Sequence, residues 1–247
     1  MKAMVFAAGL GTRLKPLTDS RPKALVTVCG KPLLAHTLEK LCKAGFSQVV
    51  VNIHHFPQMM REYLAENDFG IDVRISDESD ALLETGGGIL HAKSLLEPLD
   101  GPFLVHNVDI VSNADLKAFL AQTRPDALAT LLVSERKSSR YLLFDPETLR
   151  LVGWTNVQTG EVRSPYPSLE PDRYLRYAFS GIHALSPEIF SAFETLGFSS
   201  RFPLMDFYLR ACERYPIYGV PDPKLTLVDV GKFETLSEAE RICQTLL

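Results

Sequence analysis

The amino-acid sequence predicts an α/β fold: a Rossmann-like, mixed but mostly parallel sheet with helices on both faces, extended by a small β-rich insert. Three observations support this prediction. Apolar, β-branched runs alternate with stretches of helical periodicity over the first 133 residues, as in strand–helix–strand units. The chain has 247 residues, enough for one large domain. Its composition, 46% hydrophobic and 23% charged, is that of an ordinary globular protein and excludes disorder of the whole chain.

The elements of the first half follow from the periodicity of their apolar residues. The run at 48–53 is rich in valine and predicts a buried strand. The segment 33–44 carries Leu34, Leu38 and Leu41 at helical spacing and predicts a helix. By the same criteria we predict strands at 2–7, 48–53, 71–75, 103–106 and 127–133, and helices at 33–44, 58–66, 87–96 and 116–122.

The rhythm changes after Ser134, because short apolar pieces separated by turn residues replace the strand–helix alternation. We interpret residues from about 134 to 175 as the small β-rich insert, lying at the sheet edge as a lid. No linker separates it, so 1–247 is treated as one domain. In this half we predict strands at 141–144, 149–154, 161–163, 176–185, 217–220 and 226–230, and helices at 187–195, 204–214 and 233–246.

The charge balance and the cysteines exclude several classes of protein. Lysine and arginine number 26 against 30 aspartate and glutamate, which argues against a protein that coats nucleic acid with a broad basic face. No apolar run approaches the roughly 18 residues that span a bilayer, and the apolar start stops at Gly9, too early for a signal peptide. We therefore expect a cytoplasmic protein with no nucleic-acid or membrane partner.

The cysteines lack metal-site spacing and are expected to be buried thiols: Cys29, Cys42, Cys212 and Cys243.

A glycine-rich segment follows the first predicted strand, with the sequence Ala7-Ala8-Gly9-Leu10-Gly11-Thr12-Arg13-Leu14. Glycines permit a sharp turn close to a ligand, and successive backbone amides in such a turn bind anions. Leu14 stands where a dinucleotide-binding loop has its third glycine, and the lysine of a P-loop is absent. On the glycines alone, a plain strand-to-loop turn remains an equally good interpretation.

The basic residues of this region favour a phosphate site. Four of them fall within eleven residues, opposed by one acid only: Arg13, Lys15, Arg21 and Lys23. Pro16 and Pro22 exclude a long helix here, so these charges belong to a loop beside the glycines. Backbone amides together with arginine and lysine suit a triphosphate.

The segments 7–18 and 21–26 together resemble the signature of the sugar-1-phosphate nucleotidyltransferases, which make nucleoside-diphosphate sugars from an NTP and a sugar 1-phosphate. The resemblance covers nearly the whole chain and implies the nucleotide-diphospho-sugar transferase fold. It also implies nucleotide binding in 1–133 and sugar binding in 134–247. Arg13 would hold the phosphates that leave as pyrophosphate, and Lys23 would reach the α-phosphate. The residues expected to wrap the nucleotide are Ala8, Gly9, Leu10, Gly11, Thr12 and Arg13.

A second glycine-rich segment, 83–90, contains three consecutive glycines ahead of a predicted helix. Amides exposed at a helix start bind anions, and a flexible turn capped by Thr85 is the alternative. The segment resembles the corresponding loop of N-acetylmuramate-1-phosphate uridylyltransferases and mannose-1-phosphate guanylyltransferases. This resemblance implies nucleotide contacts from Thr85 and Gly86 and a sugar contact from Glu84. Glu78 is a weaker candidate for reading the base, and a solvated surface acid is the favoured alternative.

Two acids, Asp109 and Asp229, end apolar runs that lie far apart in the sequence. Ligands of open α/β sheets bind beyond the carboxyl ends of strands, and an acid in an apolar run is costly unless it is paired or metal-bound. A cap or an ion pair explains either acid alone, but together they predict a Mg²⁺ site. The resemblance supports both as metal ligands and Asn107 as a sugar contact.

The chain departs from the family pattern in several places. Val108 replaces a glycine beside Asp109, Ala24 replaces a frequent proline, and Lys232-Phe233 replaces a Thr-Pro pair. The family's Glu-Lys-Pro motif is absent, so the residue that grips the sugar phosphate stays unassigned. The strand 176–185 resembles the one that closes over the sugar, which implies sugar contacts from Ser180 and Gly181. A buried strand with a close-packed glycine is the alternative there.

The resemblance implies a Mg²⁺-dependent transfer of a nucleotidyl group from an NTP to a sugar 1-phosphate, with Arg13, Lys23 and Asp109 as catalytic residues. UTP with N-acetylmuramate 1-phosphate is the preferred substrate pair, because of the segment 84–88. GTP with mannose 1-phosphate is the alternative, and a catalytically weak nucleotide-sugar sensor is a further hypothesis. The hypothesis of a nicotinamide oxidoreductase rests only on Gly9 and Gly11. Assembly into a homo-oligomer stays open.

Overall fold

A computed structural model describes residues 1–246, with side chains as far as Cys243. In this part of the chain the strands are β1 Lys2–Phe6, β2 Thr27–Val28, β3 Lys31–Pro32, β4 Gln48–Ile53, β5 Asp72–Asp77, β6 Phe103–Asn107, β7 Ile110–Ser112, β8 Ala129–Ser134, β9 Arg140–Phe144, β10 Leu151–Asn156, β11 Val162–Arg163, β12 Leu175–Leu185, β13 Ile217–Pro221 and β14 Leu227–Asp229. The α-helices are α1 Leu33–Lys43, α2 Pro57–Glu66, α3 Glu84–His91, α4 Lys93–Leu96, α5 Leu116–Leu120, α6 Ile189–Thr195, α7 Leu204–Ala211 and α8 Phe233–Leu246.

Ten strands form the central sheet. Four of them run parallel in the order β5–β4–β1–β6. β12 lies antiparallel to β6 on one side and to β8 on the other, and β13 continues parallel to β8. The strands β1, β4, β5, β6, β8 and β13 therefore point the same way, and their carboxyl ends share one edge. The predicted α/β fold with a mostly parallel sheet is confirmed.

Both faces of the sheet are buried under helices. Ala3 and Val5 of β1 pack into the core beneath α1 and α8, whereas Met4 packs into the core beneath α3, α6 and α7. This alternation is the period of two expected of a strand, and it explains why the strands read as continuous apolar runs. Within residues 1–246, every helix is too short or too polar to cross a membrane.

The predicted insert lies at the sheet edge, where β9, β10 and β11 extend the sheet from β12. The differences from the predicted elements are local. The predicted helix 87–96 is instead two helices, α3 and α4, which meet at Ala92, and α3 begins earlier, at Glu84. Strands β2, β3 and β7 went unpredicted because two or three residues carry too little periodicity.

The prediction of four buried thiols is wrong for one pair. Cys29, in the turn between β2 and β3, is joined by a disulfide to Cys243 of α8, with Cα atoms 6.6 Å apart. This separation lies within the usual range for such bonds. Cys42 and Cys212 are free, and of these Cys212 is buried as expected.

Candidate active site

A cavity of about 410 Å³ opens at the carboxyl ends of β1, β4, β5 and β6. Parallel α/β sheets bind their ligands at this edge. The wall combines the first glycine-rich segment, the start of α3 and the segment after β6. Of the residues singled out in the sequence, those that line the cavity are Ala8, Gly9, Lys23, Glu78, Glu84, Thr85, Asn107 and Asp109.

The first glycine-rich segment is anchored at both ends. The Ala7 amide donates to Asn52 Oδ1 at 2.7 Å, and the Thr18 hydroxyl donates to the Gly11 carbonyl at 2.9 Å. Gly11 has a positive φ of 64°, which turns the chain into a short 3-10 turn at Thr12–Leu14. Leu10 and Thr12 are exposed at the rim, outside the cavity lining. The loop therefore holds Ala8 and Gly9 against the cavity.

Lys23 is the buried cation of the site. It opens a second 3-10 turn, Lys23–Leu25, directly after Pro22, and only 9% of its surface is exposed. Its ammonium donates to Asp109 Oδ2 in an ion pair. A buried cation is stable only with such a partner, and a phosphate oxygen is an equivalent partner in charge.

Asp109 and Asp229 are brought together by a small two-stranded sheet. β14 pairs antiparallel with β7, and the Val230 amide donates to the Asp109 carbonyl at 2.8 Å. Burial raises the pKa of Asp229, and the negative charge of Asp109 raises it further, whereas Lys23 and other cations oppose the shift. The two carboxylates therefore share one electrostatic environment, as the sequence predicts.

Arg13 reaches this environment from the glycine-rich segment. A Cβ atom at Gly231 would lie 2.9 Å from Arg13 Nη2 and 2.8 Å from Asp229 Oδ1. Glycine at this position lets the guanidinium and the carboxylate lie on the same side of the chain, because an added Cβ would displace the ends of both side chains. The positive charge of Arg13 also opposes the raised pKa of Asp229.

Glu78 is not the solvated surface acid favoured from the sequence. It is 3% exposed, accepts from Asn52 Nδ2 at 2.7 Å and from the Leu83 amide at 3.3 Å, and lines the cavity. Burial raises the pKa of its carboxyl group. Sequence analysis missed Asn52, which links Glu78 to the Ala7 amide. The sequence signal that could have identified Asn52 is its polar side chain near the carboxyl end of a buried strand, where ligands of such sheets bind.

The three glycines of the second glycine-rich segment lie inside α3, so the prediction that they precede the helix is wrong. The amides of Gly86 and Gly87 both donate to the Phe202 carbonyl, at 2.9 and 3.3 Å. Thr85 is not an N-cap either, because its hydroxyl lies inside α3 and accepts from the Leu204 amide at 2.8 Å. Glu84, on the cavity wall, pairs with Arg201 at 3.1 Å.

Two predicted sugar contacts lie outside the cavity lining. Ser180 is fully buried and donates its hydroxyl to the Leu132 carbonyl at 2.7 Å. Gly181, with φ of 75°, packs against the side-chain amide of Asn107. Ser180 and Gly181 therefore fit the alternative given for the strand 176–185, a buried strand with a close-packed glycine. Asn107 itself lines the cavity.

A family model described as "Nucleotidyl transferase" matches residues 2–147, more than half of the chain. The chain belongs to this family. A relative from Neisseria meningitidis serogroup B, an N-acetylmuramate alpha-1-phosphate uridylyltransferase, is 31% identical over 245 residues, which cover 98% of both chains. The family predicted from the sequence is therefore confirmed.

Other relatives match over shorter stretches. An N-acetylmuramate alpha-1-phosphate uridylyltransferase from Caulobacter vibrioides is 44% identical over 138 residues, covering 53% of this chain and 56% of the relative. A mannose-1-phosphate guanyltransferase from Hypocrea jecorina is 37% identical over 122 residues, covering 49% of this chain and 33% of the relative. The matches thus span about half and about a third of these two family members.

Solved structures of the family share the fold. A putative glucose-1-phosphate thymidylyltransferase from Bacillus anthracis superposes with a TM-score of 0.81 at 17% identity, over 100% of this chain and 96% of the other. A UDP-glucose pyrophosphorylase superposes with a TM-score of 0.76 at 18% identity, over 99% and 98%. The predicted nucleotide-diphospho-sugar transferase fold is confirmed.

Proposed function

We propose that the protein transfers a nucleotidyl group from an NTP to a sugar 1-phosphate and releases pyrophosphate. The observation that carries this proposal is the Lys23–Asp109 ion pair, joined to Asp229 through β7 and β14 beside the first glycine-rich segment. A cation and two acids at the carboxyl edge of a parallel sheet suit a polyphosphate substrate.

In the proposed reaction an oxygen of the sugar phosphate attacks the α-phosphorus of the NTP. A new P–O bond forms, the bond from the α-phosphorus to the bridging oxygen breaks, and pyrophosphate leaves with that electron pair. The nucleophile is already an anion at neutral pH, so no general base is required. Catalysis then rests on positioning and on charge neutralisation, with Lys23 at the α-phosphate and Arg13 at the departing phosphates.

We propose that Asp109 and Asp229 hold Mg²⁺. The donor set fits, because Mg²⁺ takes one or two protein carboxylates together with phosphate oxygens and water. Burial raises the pKa of Asp229 most, and the negative charge of Asp109 raises it further, which supports a shared cation at this pair. The ion would neutralise phosphate charge in the reaction, as a Lewis acid.

We assign nucleotide binding to the half 1–133, which also carries the two sugar contacts proposed on the cavity wall, and further sugar binding to the half 134–247. The nucleotide would contact Ala8, Gly9, Leu10, Gly11 and Thr12 of the first loop, with Glu78, Thr85 and Gly86 nearer the base. Of these three, Gly86 would contact the nucleotide by packing rather than by a hydrogen bond, because its amide already donates to the Phe202 carbonyl. Glu84 and Asn107 remain the proposed sugar contacts on the cavity wall.

UTP with N-acetylmuramate 1-phosphate is the proposed substrate pair, since the full-length match is to a uridylyltransferase of that sugar phosphate. GTP with mannose 1-phosphate is the second candidate, supported by the guanyltransferase match over 122 residues. Pyrophosphate release measured over a panel of NTPs and sugar 1-phosphates tests both. We expect the first pair to react fastest, with Asp109→Asn as the inactive reference. If the nucleotides bind but no pair releases pyrophosphate, the transferase proposal fails and the nucleotide-sugar sensor becomes the better hypothesis.

A further inference from the structure

The turn between β2 and β3 brings a cysteine against helix α8. The hairpin is tight, because only Cys29 and Gly30 lie between its two strands. The Cys29 amide donates to Glu240 Oε2 at 2.9 Å, and Cys29 Sγ lies 3.6 Å from the Glu240 carbonyl oxygen. A hydrogen bond therefore holds the turn to α8 in addition to the disulfide with Cys243.

Glu240 and Cys243 lie on one face of α8, since residues three apart on a helix are neighbours. Cys243 is fully buried in the core, whereas Glu240 and Cys29 are exposed. The two sulfur atoms and the carboxylate thus meet where the core reaches the surface. Both Sγ atoms and a carboxylate oxygen of Glu240 lie within 4.8 Å of one another.

In the reduced protein these three side chains form the donor set of a thiophilic cation. Zn²⁺ takes thiolate and carboxylate ligands, with bonds of about 2.3 Å to sulfur and about 2.1 Å to oxygen. Ligand atoms of a tetrahedral zinc ion therefore lie roughly 3.6–3.8 Å apart, inside the 4.8 Å that contains all three atoms here. Mg²⁺ prefers oxygen ligands, so the thiolates distinguish this site from the acid pair Asp109 and Asp229.

The backbone around the two cysteines leaves space for an ion. The Cα atoms of Cys29 and Cys243 are 6.6 Å apart, near the upper end of the disulfide range at about 6.8 Å. The hydrogen bond from the Cys29 amide does not involve the sulfur atoms, so it keeps the turn beside α8 after reduction. It engages Glu240 Oε2, which leaves Oε1 for the ion. Because two of the three ligands are exposed, water reaches the fourth position.

We infer that the reduced protein binds Zn²⁺ through Cys29, Glu240 and Cys243, with a water molecule as the fourth ligand. Each thiol loses its proton to solvent when the ion binds, because the thiolate is the metal ligand. The ion then joins α8 to the β2–β3 turn, as the disulfide does in the oxidised protein. The spacing of the cysteines in the sequence does not show this site, since they are 214 positions apart.

Calorimetric titration of Zn²⁺ into the full chain tests the site. The protein is reduced with a phosphine, because a dithiol would compete for zinc, and excess Mg²⁺ occupies sites made of oxygen ligands alone. We expect one zinc ion per reduced chain and at least about 100-fold weaker binding by the oxidised chain, whose sulfur atoms are bonded to each other. Co²⁺ in place of zinc should give thiolate charge-transfer absorption in the reduced protein only.

Variants identify the ligands. Cys29→Ser should bind Zn²⁺ at least about 100-fold more weakly than wild type, and Glu240→Gln at least about tenfold more weakly. Cys29 and Glu240 are both exposed, so neither replacement disturbs the core. Cys42→Ser removes a free, half-buried thiol and is the matched control, with wild-type affinity expected. Zinc should also raise the melting temperature of reduced wild type and leave that of Cys29→Ser unchanged.

The contrary outcomes are equally definite. Equal zinc affinity of the reduced and oxidised proteins overturns the inference, because the ion then binds without the two thiolates. Unchanged affinity of Cys29→Ser or of Glu240→Gln overturns it as well, since the ion then lies elsewhere. A cobalt complex without thiolate absorption has the same meaning.

Discussion

Lys23 is the residue on which the charge balance of the cleft depends most. Its ammonium is nearly buried and pairs with Asp109, an acid that is itself only partly exposed. In the proposed reaction this ammonium faces the α-phosphate, where negative charge increases as the new bond forms. Preorganised charge of this kind acts in a cleft with little water, where it is far stronger than at the surface.

We expect Lys23→Met to lower kcat at least about 100-fold, because the stabilising charge is removed from the reacting phosphate. Pyrophosphate release measures this, and circular dichroism checks that the fold persists. Lys43→Met, which removes an exposed lysine near the end of α1, should keep full activity. Near-normal turnover of Lys23→Met would take Lys23 out of the mechanism.

His183 makes the fold sensitive to acid. It is fully buried, contacts the Tyr208 hydroxyl at 2.6 Å, and has its pKa lowered to about 3 by burial and by the nearby His106. An unfolded histidine takes up its proton near pH 6.5, so the unfolded state binds more protons between pH 6.5 and about 3. Stability due to this residue is therefore present above pH 6.5 and is lost as the pH falls through that window.

The variant His183→Gln removes this titration. Between pH 6.5 and 5 we expect wild type to lose about 1 kcal/mol of unfolding free energy per pH unit more than the variant does, because the difference approaches one proton only well below pH 6.5. Urea unfolding at a series of pH values measures the two slopes. His106 remains in both proteins, and its own pKa is lowered to about 4, so the variant keeps some acid sensitivity. Parallel slopes would show that His183 does not titrate in this way.

At the scale of elements, helix α3 owes its position to contacts distant in sequence. Its glycines allow the segment 200–203 to lie against the helix, and a Cβ at Gly87 would fall 2.0 Å from the Ser200 carbonyl oxygen. The same segment supplies the Phe202 carbonyl that accepts the amides at the start of the helix. The cavity wall formed by Glu84 and Thr85 therefore depends on this packing.

Gly87→Ala tests that dependence, and the sign of its effect is informative. Alanine stabilises an exposed helix by about 1 kcal/mol relative to glycine. Here we expect a destabilisation of about 2 kcal/mol or more, since the added methyl group forces the segment 200–203 away. Thermal unfolding gives the change. Gly101→Ala, where no atom lies within 4 Å of the added carbon, should be nearly neutral. A more stable Gly87→Ala protein would contradict the packing described for α3.

The strands and the acid pair were predictable, whereas the first turn of α3, which begins at Glu84, was not. The run of β4 is buried along its whole length and carries valine on both faces, as expected of a central strand. Asp109 and Asp229 were predicted to converge because both follow such runs. The glycines of α3 favour a loop by local preference, and only Ser200 and Phe202, far along the chain, reverse that preference. Asn52 belongs to no recognisable motif, since its partners, the Ala7 amide and the Glu78 carboxylate, lie far from it in the sequence.

At the scale of the whole molecule, the disulfide between Cys29 and Cys243 joins residues that are 214 positions apart. It fastens α8 to the turn between β2 and β3, near the two ends of the described chain. Closing so long a loop removes much of the freedom of the unfolded chain. The loop-entropy model assigns about 5 kcal/mol to a loop of this length.

Reduction should therefore lower the melting temperature, and Cys243→Ser should melt at the same temperature with and without reductant. Scanning calorimetry of the oxidised and reduced proteins measures both. Cys42→Ser, which changes a free cysteine, should retain the full difference. An oxidised wild-type protein that melts no higher than the reduced one would show that the bond does not constrain the chain.

The pairing of β14 with β7 also has a consequence for synthesis on the ribosome. The glycine-rich segment, Lys23 and Asp109 all leave the exit tunnel early, and their strands can pair as they emerge. β7 has no partner until Leu227–Asp229 follows, more than a hundred residues later. A nascent chain therefore gains the second acid of the proposed metal site only after Asp229 has been translated, and on the proposed mechanism a chain interrupted before that residue lacks this ligand.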